Sequence, residues 1–491
     1  MTSKGYINDF YKQFEGLNKK LDKANSTISQ LSLNNSILLS EVKELKQKLN
    51  EKDNMIAELV LEIERLKNNN KKDSSNSSKP SGTNGYKKAV TNNRKKSSKS
   101  KGGQINHPGS TLSKNDIDKM IENGKIDEVI TIEENKTELT KNNTPIITYE
   151  YDIQIKKVVI KHVYYPNEQT NIISSPVFYG NNVKTLCSLL YMKGSSYDAI
   201  KAFIAEATDD SLNISKGTIY NWNAKLAEIL ETSEYEKIKE KLLNSLVLHV
   251  DETPIKINGE QYYIHNISNE EYTLQYVNKK RGTDAIKEFV FLKKYKGILV
   301  HDHFSMYYQY GTGNAECNVH ALKYLKGVTD FTEHKWAKEL SNLLLEMKAR
   351  KKELIAEEKE HMEIDEYEQF KKKYLTILKN DQKEYKSDLK TNSYREEERK
   401  LLARLEKFVD NHLLFLKKFF VPFSNNRAEA DLQFIKIRQK IGKFRSEEGA
   451  HNFVIIRSCS STYSKKKISV KSAITLAFEN KMKTDRFLKS T

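Results

Sequence analysis

Apolar residues recur in alternating steps of four and three from Leu17 to Leu66, by way of Leu21, Ala24, Ile28, Leu31, Leu38, Val42, Leu45, Leu49, Ile56, Leu59 and Ile63. Only Asn35 and Lys52 put polar groups on that stripe. A period of 3.5 residues kept for so many turns predicts a left-handed coiled coil over residues 1–68, and with it a homo-oligomer. Asn35, at a core position, would favour one register and one oligomeric state. The competing reading is a single amphipathic helix packed on its own protein.

Beyond Asn70 the periodicity stops. Residues 69–106 are mostly Ser, Asn, Lys and Gly, and between Asn70 and Lys101 ten basic residues stand against Asp73 alone. Such a stretch cannot bury a core, so it is expected to be a disordered basic tether, either a plain linker or an arm that neutralises phosphates. Alternation of apolar and polar residues at 128–132 and 146–151, followed by 156–160, predicts a small β-rich domain over 107–180. Residues 181–240 change to helical spacing. One helix is expected over 196–207, then a short polar turn, then a second helix opening in 214–222 with Ser215 as its cap. This suits a helix-turn-helix whose second helix offers Lys216, Thr218, Tyr220 and Asn221 to DNA. Two packed structural helices would give the same pattern.

From Leu246 onward the pattern becomes α/β. Strands are predicted at 246–257, 261–267 and 272–277, the first two joined by Asn258-Gly259 as a hairpin turn. A helix over 283–292, a buried strand at 297–300, a short helix near 305–308 and a strand near 315–319 follow. Three meandering strands, then helix, strand, helix and strand, is the element order of a ribonuclease-H-like α/β core, placed at 241–330 and 415–460. Charged helices at 331–414 form a helical insertion, and 461–491 a C-terminal helical tail. The fold class is multidomain α+β.

Composition narrows the function. The 491 residues are 37% hydrophobic and 30% charged, which suits a folded core with solvated appendages. A formal charge of +17 points to an anionic polymer, and no segment is amphipathic and basic enough to lie on a membrane. Cys187, Cys317 and Cys459 are three and scattered, which excludes a disulfide framework and an all-Cys zinc cage. No apolar run approaches the roughly 18 residues of a bilayer span, and the first residues lack a signal-peptide core. A cytoplasmic, nucleoid-associated protein with no membrane partner is expected.

Three acids stand out against this basic background. Asp251 and Asp302 lie in or at the end of apolar β-type runs, and Glu429 opens a basic helical stretch. On separate elements that converge, two Asp and one Glu would hold magnesium, with two ions expected and manganese as an alternative. One ion activates the attacking oxygen and the other stabilises the leaving oxygen when a phosphodiester is cut. Glu252, Glu316 and Asp431 compete as ligands on proximity. Cys317 and His320 make a Cys-x-x-His pair; without a second pair it reads as a structural half-site rather than a zinc centre. Lys436, Arg438, Lys440, Lys443 and Arg445, spaced among Phe434, Ile435, Ile437 and Ile441, are expected to form one phosphate-holding face. A merely solvated face is the competing reading.

Five patches carry a family resemblance. They are Asn76-Ser77-Ser78-Lys79-Pro80; Gly102-Gly103-Gln104 with His107, Gly109, Thr111 and Leu112; His249-Val250-Asp251-Glu252-Thr253; His301-Asp302-His303 with Tyr308, leading to Cys317-Asn318-Val319-His320; and Asn425-Asn426-Arg427-Ala428-Glu429 running on to Lys440-Ile441-Gly442-Lys443-Phe444-Arg445-Ser446. Through them the chain resembles bacterial transposases of the insertion sequence 66 family, with DDE catalytic chemistry, over most of its length. The resemblance implies that Asp251, Asp302 and Glu429 are the catalytic, magnesium-binding triad. It also implies strand cleavage at transposon ends and transfer of the freed 3′-hydroxyl into target DNA, with accessory element-encoded proteins as further partners. There are departures. The family's Cys-x-x-Cys module is missing, since residues 107–186 hold no Cys, and Lys323-Tyr324 stands where the family has Arg-Glu. Ala430 and Gln433 stand where the family has Arg. The alternative function is therefore a domesticated or inactive transposase-derived DNA-binding protein, with a structure-selective nuclease as a third reading.

Overall fold

The computed structural model describes residues 4–72, 76, 112–132, 147–161, 177–332, 334–387 and 394–479. Most of the basic stretch at 69–106, the Gly-Gly-Gln patch and the end of the tail lie outside the described residues. In chain order the helices before the sheet are α1 (Lys4–Lys71), α2 (Lys114–Glu122), α3 (Asn181–Met192), α4 (Tyr197–Ala207), α5 (Lys216–Leu230) and α6 (Glu236–Leu243). Then come β1 (Val247–Ile257), β2 (Glu260–Ser268), β3 (Thr273–Asn278), α7 (Thr283–Phe289), α8 (Phe291–Lys294), β4 (Ile298–His301) and β5 (Gly313–Glu316). The remaining helices are α9 (Asn318–Phe331), α10 (Trp336–Ala356), α11 (Ile364–Ser387), α12 (Arg395–Lys407), α13 (Val409–Lys417), α14 (Asn426–Ile441), α15 (Glu447–Lys465) and α16 (Val470–Phe478). None of the described helices is long and apolar enough to cross a membrane.

The chain divides into two compact units. One takes Met1–Lys87 with Asn318–Phe419. Here α1 is a single helix whose apolar stripe is exposed throughout, Leu31 and Ile56 alike. Helices α9 to α13 build their own core around Trp336, Leu340, Leu344 and Tyr374. Inside it the Asn318 amide donates to the His412 carbonyl at 2.9 Å, and the Trp336 indole N–H to Glu398 at 2.8 Å, so these buried polar groups keep partners. Lys72, just past α1, pairs with Glu397 of α12 at 2.7 Å.

The other unit takes Lys88–Cys317 with Phe420–Thr491. Among the described residues it holds one five-stranded sheet, in the order β3-β2-β1-β4-β5. The meander β1-β2-β3 is antiparallel, turning at Asn258 and Gly259, both at positive φ (47° and 88°) as a two-residue hairpin requires. On its other side β1 pairs in parallel with β4, and β4 with β5. Gly297 lets β4 enter beside β1: a Cβ there would lie 2.6 Å from the Ser245 carbonyl oxygen.

Two differences from the sequence pattern have physical causes. The described residues at 124–132 and 147–161 belong to neither helix nor sheet and are almost all exposed. A β pattern yields a strand only when a neighbour completes its hydrogen bonds, and none does so among the described residues. The tail expected from residue 461 is not separate either. Ile455, Ile456, Cys459 and Tyr463 continue one buried face of α15 across that boundary, and Ala473, Ile474 and Ala477 of α16 join the same core.

Helices α3, α4 and α5 also share the core of the sheet. Ile200, Ile204 and Ile219 pack in one cluster with Ile255, Ile257 and Ile264 of the strands and Leu432 and Ile435 of α14. Each helix entrance is built as its sequence suggests: Ser196 caps α4 by accepting from the Ala199 N–H, and Ser215 caps α5 by accepting from the Thr218 N–H at 3.0 Å. The turn between them passes through Asp209 and Asp210, both at positive φ.

Asp431, one of the rival acids, is used structurally. It accepts from Lys465 at 2.8 Å and from the Thr273 hydroxyl at 3.3 Å, with both charged side chains 10% exposed. Asp431→Asn should therefore destabilise this unit by about 3–5 kcal/mol, because it removes the counter-charge of the Lys465 ammonium and leaves it the Asn269 and Tyr272 carbonyls. Urea unfolding followed by circular dichroism measures it. The double change Asp431→Leu with Lys465→Met should recover most of the loss.

Candidate active site

The ladder between β1 and β4 is short. It holds Val247↔Ile298, Leu248↔Leu299 and His249↔Val300, and then stops. Two residues further along the chain stand Asp251, still within β1, and Asp302, one residue past the end of β4. Alternation along β1 puts Asp251 on the face that carries His249, and Asp302, just past the end of β4, lies close enough to act on its charge. Alternation sends Glu252 to the other face. There the Arg281 guanidinium grips it through Nη2 at 2.7 Å and Nε at 2.8 Å, and Tyr307 donates its hydroxyl at 2.7 Å. Sequence proximity made Glu252 a competing ligand; the pleat explains its different employment.

The acidic pair is crowded. Burial, the neighbouring Asp302 carboxylate and then Glu252 push the Asp251 carboxyl well above the usual carboxylate range. Lys436 of α14 pulls the other way, and the Glu252 N–H donates to Asp251 Oδ1 at 2.8 Å. Asp302 Oδ1 is buried and accepts no hydrogen bond from the described residues. Two adjacent carboxylates, one with an unanswered buried oxygen, hold a large unfavourable electrostatic energy.

The turn that presents Asp302 is held on both sides. His301 is buried and neutral: burial lowers its pKa to about 4, its Nδ1 accepts from the His303 N–H at 3.2 Å, and its Nε2 therefore carries the proton toward Asn314 Oδ1, also at 3.2 Å. His303 adopts a positive φ of 79°, unusual for a side-chain-bearing residue, and reaches the Tyr308 hydroxyl at 3.0 Å and the buried carboxylate of Glu316. Tyr308 donates to the same Glu316. The third rival acid is thus a brace for the His-Asp-His turn.

Asn425 does comparable work from the helix side, and the sequence reading gave it no role beyond motif membership. Its amide nitrogen donates to the Val250 carbonyl at 2.8 Å, its Oδ1 takes the His249 Nδ1 proton at 3.0 Å, and its backbone N–H points at Cys317 Sγ at 3.1 Å. Burial lowers the His249 pKa to about 4, so this ring stays neutral and keeps one donor for Asn425. One fully buried amide thereby locks the start of α14 to β1 and to the residue after β5. A polar residue immediately before a helix, in register with a buried strand His, was the available signal.

Glu429 lies in the first turn of α14, half-buried, four residues beyond Asn425. Lys436 follows seven residues later on the same helix face, and Lys436 is the residue of α14 that acts on Asp251. The face that carries Glu429 is therefore turned toward the acidic pair. Even so, among the described residues no group of three His, Cys, Asp or Glu side chains is gathered closely enough to hold a metal ion. The structure brings Asp251 and Asp302 together and sets Glu429 on the neighbouring helix.

The expected basic residues divide. Lys436, Lys440, Lys443 and Arg445 are exposed. Arg438 is a correction: it is 6% exposed, donates to the Gly442 carbonyl at 2.9 Å, and lies over the rings of Phe444 and Tyr191. It shares the buried face of Ala428, Asp431 and Ile435, which puts it out of reach of phosphate. On α5, Asn221 is exposed and Lys216 is paired with Asp198 at 2.9 Å. Thr218 bonds the Ser215 hydroxyl at 2.9 Å, and Tyr220 is half-buried edge-on to Tyr197. Cys317 is buried, and His320 lies on the first turn of α9, in the other compact unit.

A family model described as "Transposase IS66 family" matches residues 182–452, from the start of α3 to the first turns of α15. No curated protein and no solved structure matches the chain.

Crowding of the two carboxylates has a measurable cost. In the presence of a chelator at neutral pH, Asp302→Asn should raise the melting temperature by a few degrees, on the order of 1 kcal/mol, because it relieves like-charge repulsion. Differential scanning fluorimetry of parent and variant checks this. A lower melting temperature for the variant would show the pair to be stabilising.

Proposed function

The chain belongs to the transposase IS66 family, and from that premise we propose that it is a DNA transposase whose acidic residues are Asp251, Asp302 and Glu429. It cleaves strands at transposon ends and transfers the resulting 3′-hydroxyl to target DNA. The observation that carries this reading is the placement of Asp251 and Asp302 side by side, immediately past the end of the β1–β4 ladder. The strand order β3-β2-β1-β4-β5 supports a ribonuclease-H-like core as their scaffold.

The donor set fits a hard divalent cation. Both side chains offer only oxygen, they repel each other, and Asp302 has a buried oxygen that nothing described answers. Asp251 and Asp302 would hold magnesium, with Glu429, in the first turn of α14, as the third ligand. When bound, magnesium supplies activation of the attacking oxygen and stabilisation of the leaving oxygen. The chain's own residues do the rest. His301, His303 and Glu316 hold the Asp302 turn, and Asn425 fixes α14 against β1. Lys436, Lys440, Lys443 and Arg445 take phosphates, which positions the scissile bond without reading sequence. Water bonds to the phosphorus and gives up a proton as the bond to the 3′-oxygen breaks; the water oxygen stays on the 5′-phosphate, and the departing 3′-oxygen takes up a proton to become a free hydroxyl. That hydroxyl then forms a bond to a target phosphorus as the target's own 3′-oxygen departs, with no covalent enzyme intermediate.

Asp251→Asn should abolish joining of a pre-cut transposon end, a loss of about a thousandfold or more, while leaving DNA binding measurable. Gel-shift and strand-transfer assays on the same preparations separate the two. Equal joining by variant and parent would overturn the catalytic assignment. If the parent binds ends and never joins them, the non-catalytic DNA-binding reading stands, and the exposed Ala430 and Gln433 become the first positions to restore as Arg.

A further inference from the structure

The 68-residue helix α1 exposes an apolar seam along its length, with Phe10 69%, Ile28 62% and Leu45 63% exposed. In heptad notation Leu21, Ile28, Asn35, Val42, Leu49, Ile56 and Ile63 fall at a, and Ala24, Leu31, Leu38, Leu45, Lys52, Leu59 and Leu66 at d. Branched Ile28, Val42, Ile56 and Ile63 at a, with Leu at most d positions, is the combination that favours two strands over three or four. At about 1.5 Å per residue the helix is about 100 Å long, enough for a seam of many layers.

We propose that α1 pairs with α1 of a second copy as a parallel, in-register, two-stranded coiled coil. The flanking charges decide the direction. In a parallel pair each g position meets the e position five residues later on the other chain. Glu41 then meets Lys46, Lys48 meets Asp53, and Glu62 meets Lys67, while Met55 meets Val60. Every charged pair so formed is attractive, and each occurs twice in the dimer. In a fully overlapped antiparallel pair Glu41 would instead face Asn34, Lys46 would face Asn25, and Asp53 would face Asn18. No attraction between opposite charges survives there.

Asn35 points the same way. In the parallel register it meets its own counterpart, so two buried amides bond each other; in the antiparallel one it would be buried against Leu38. Within the single helix Lys48 reaches Glu44 at 2.6 Å and Arg65 reaches Glu62 at 3.3 Å, but these are exposed pairs of small worth and do not hold the charges back. Lys52 is the one charge at d; its aliphatic stem lines the seam while its ammonium reaches water. A parallel coil makes both copies leave α1 at the same end, so their remaining residues emerge together.

The test uses the full-length chain, whose three native cysteines are buried. Ala24→Cys, far from the middle of the helix, should oxidise to a disulfide-linked dimer, since parallel register brings the two residues face to face. If mixing Ala24→Cys with Leu49→Cys chains gives the cross-link instead, the coil is antiparallel. A monomer mass at micromolar concentration by sedimentation equilibrium would also overturn the proposal. A second pair of variants keeps the helix intact: Glu41→Lys, Lys48→Glu and Glu62→Lys in one chain, and Lys46→Glu, Asp53→Lys and Lys67→Glu in another. Each alone should dimerise about tenfold more weakly or worse, and an equimolar mixture should regain the parent's affinity as a heterodimer. Unchanged self-association of either variant contradicts the register.

Discussion

The site depends on how briefly β1 and β4 run together. Three residue pairs bind them; Asp251 stands two residues further along β1, and Asp302 stands one residue past the end of β4. The end of this ladder brings the two carboxylates within electrostatic reach of each other. Burial and the neighbouring Asp302 then push the Asp251 carboxyl well above the usual carboxylate range.

Much of the surrounding architecture answers to that constraint. Buried, neutral His301 and the left-handed His303 fix the turn after β4, with Glu316 and Tyr308 behind them. Glu252 is satisfied by Arg281 and Tyr307, although its charge still adds to the pressure on Asp251. Asn425 joins β1, the residue after β5 and the start of α14 through three hydrogen bonds, so the helix that bears Glu429 and Lys436 cannot slide along the sheet. Membership of the transposase IS66 family gives this arrangement its context.

The sequence was most legible where one period governs. Strand alternation and the Asn-Gly turn gave β1 and β2 to within a residue or two, and Ser215 announced the start of α5. It was least legible where a residue's use depends on which way it faces. Glu252, Glu316 and Asp431 were indistinguishable from ligands by proximity, yet each is taken up by a different partner. Arg438 looked like its basic neighbours until the helix turned it inward. The alternating runs at 128–132 and 147–151 show the limit of a local pattern, since a strand also needs a neighbour that no local pattern supplies.

The central claim is that Asp251 and Asp302 act on each other as one buried electrostatic unit. A double-mutant cycle on stability tests it most directly, with urea unfolding of the parent, Asp251→Asn, Asp302→Asn and the double variant in chelator. The account predicts strong non-additivity: either single change relieves the repulsion, and the second adds little. Gains that simply sum would contradict it, because they would mean that each carboxylate meets its surroundings alone.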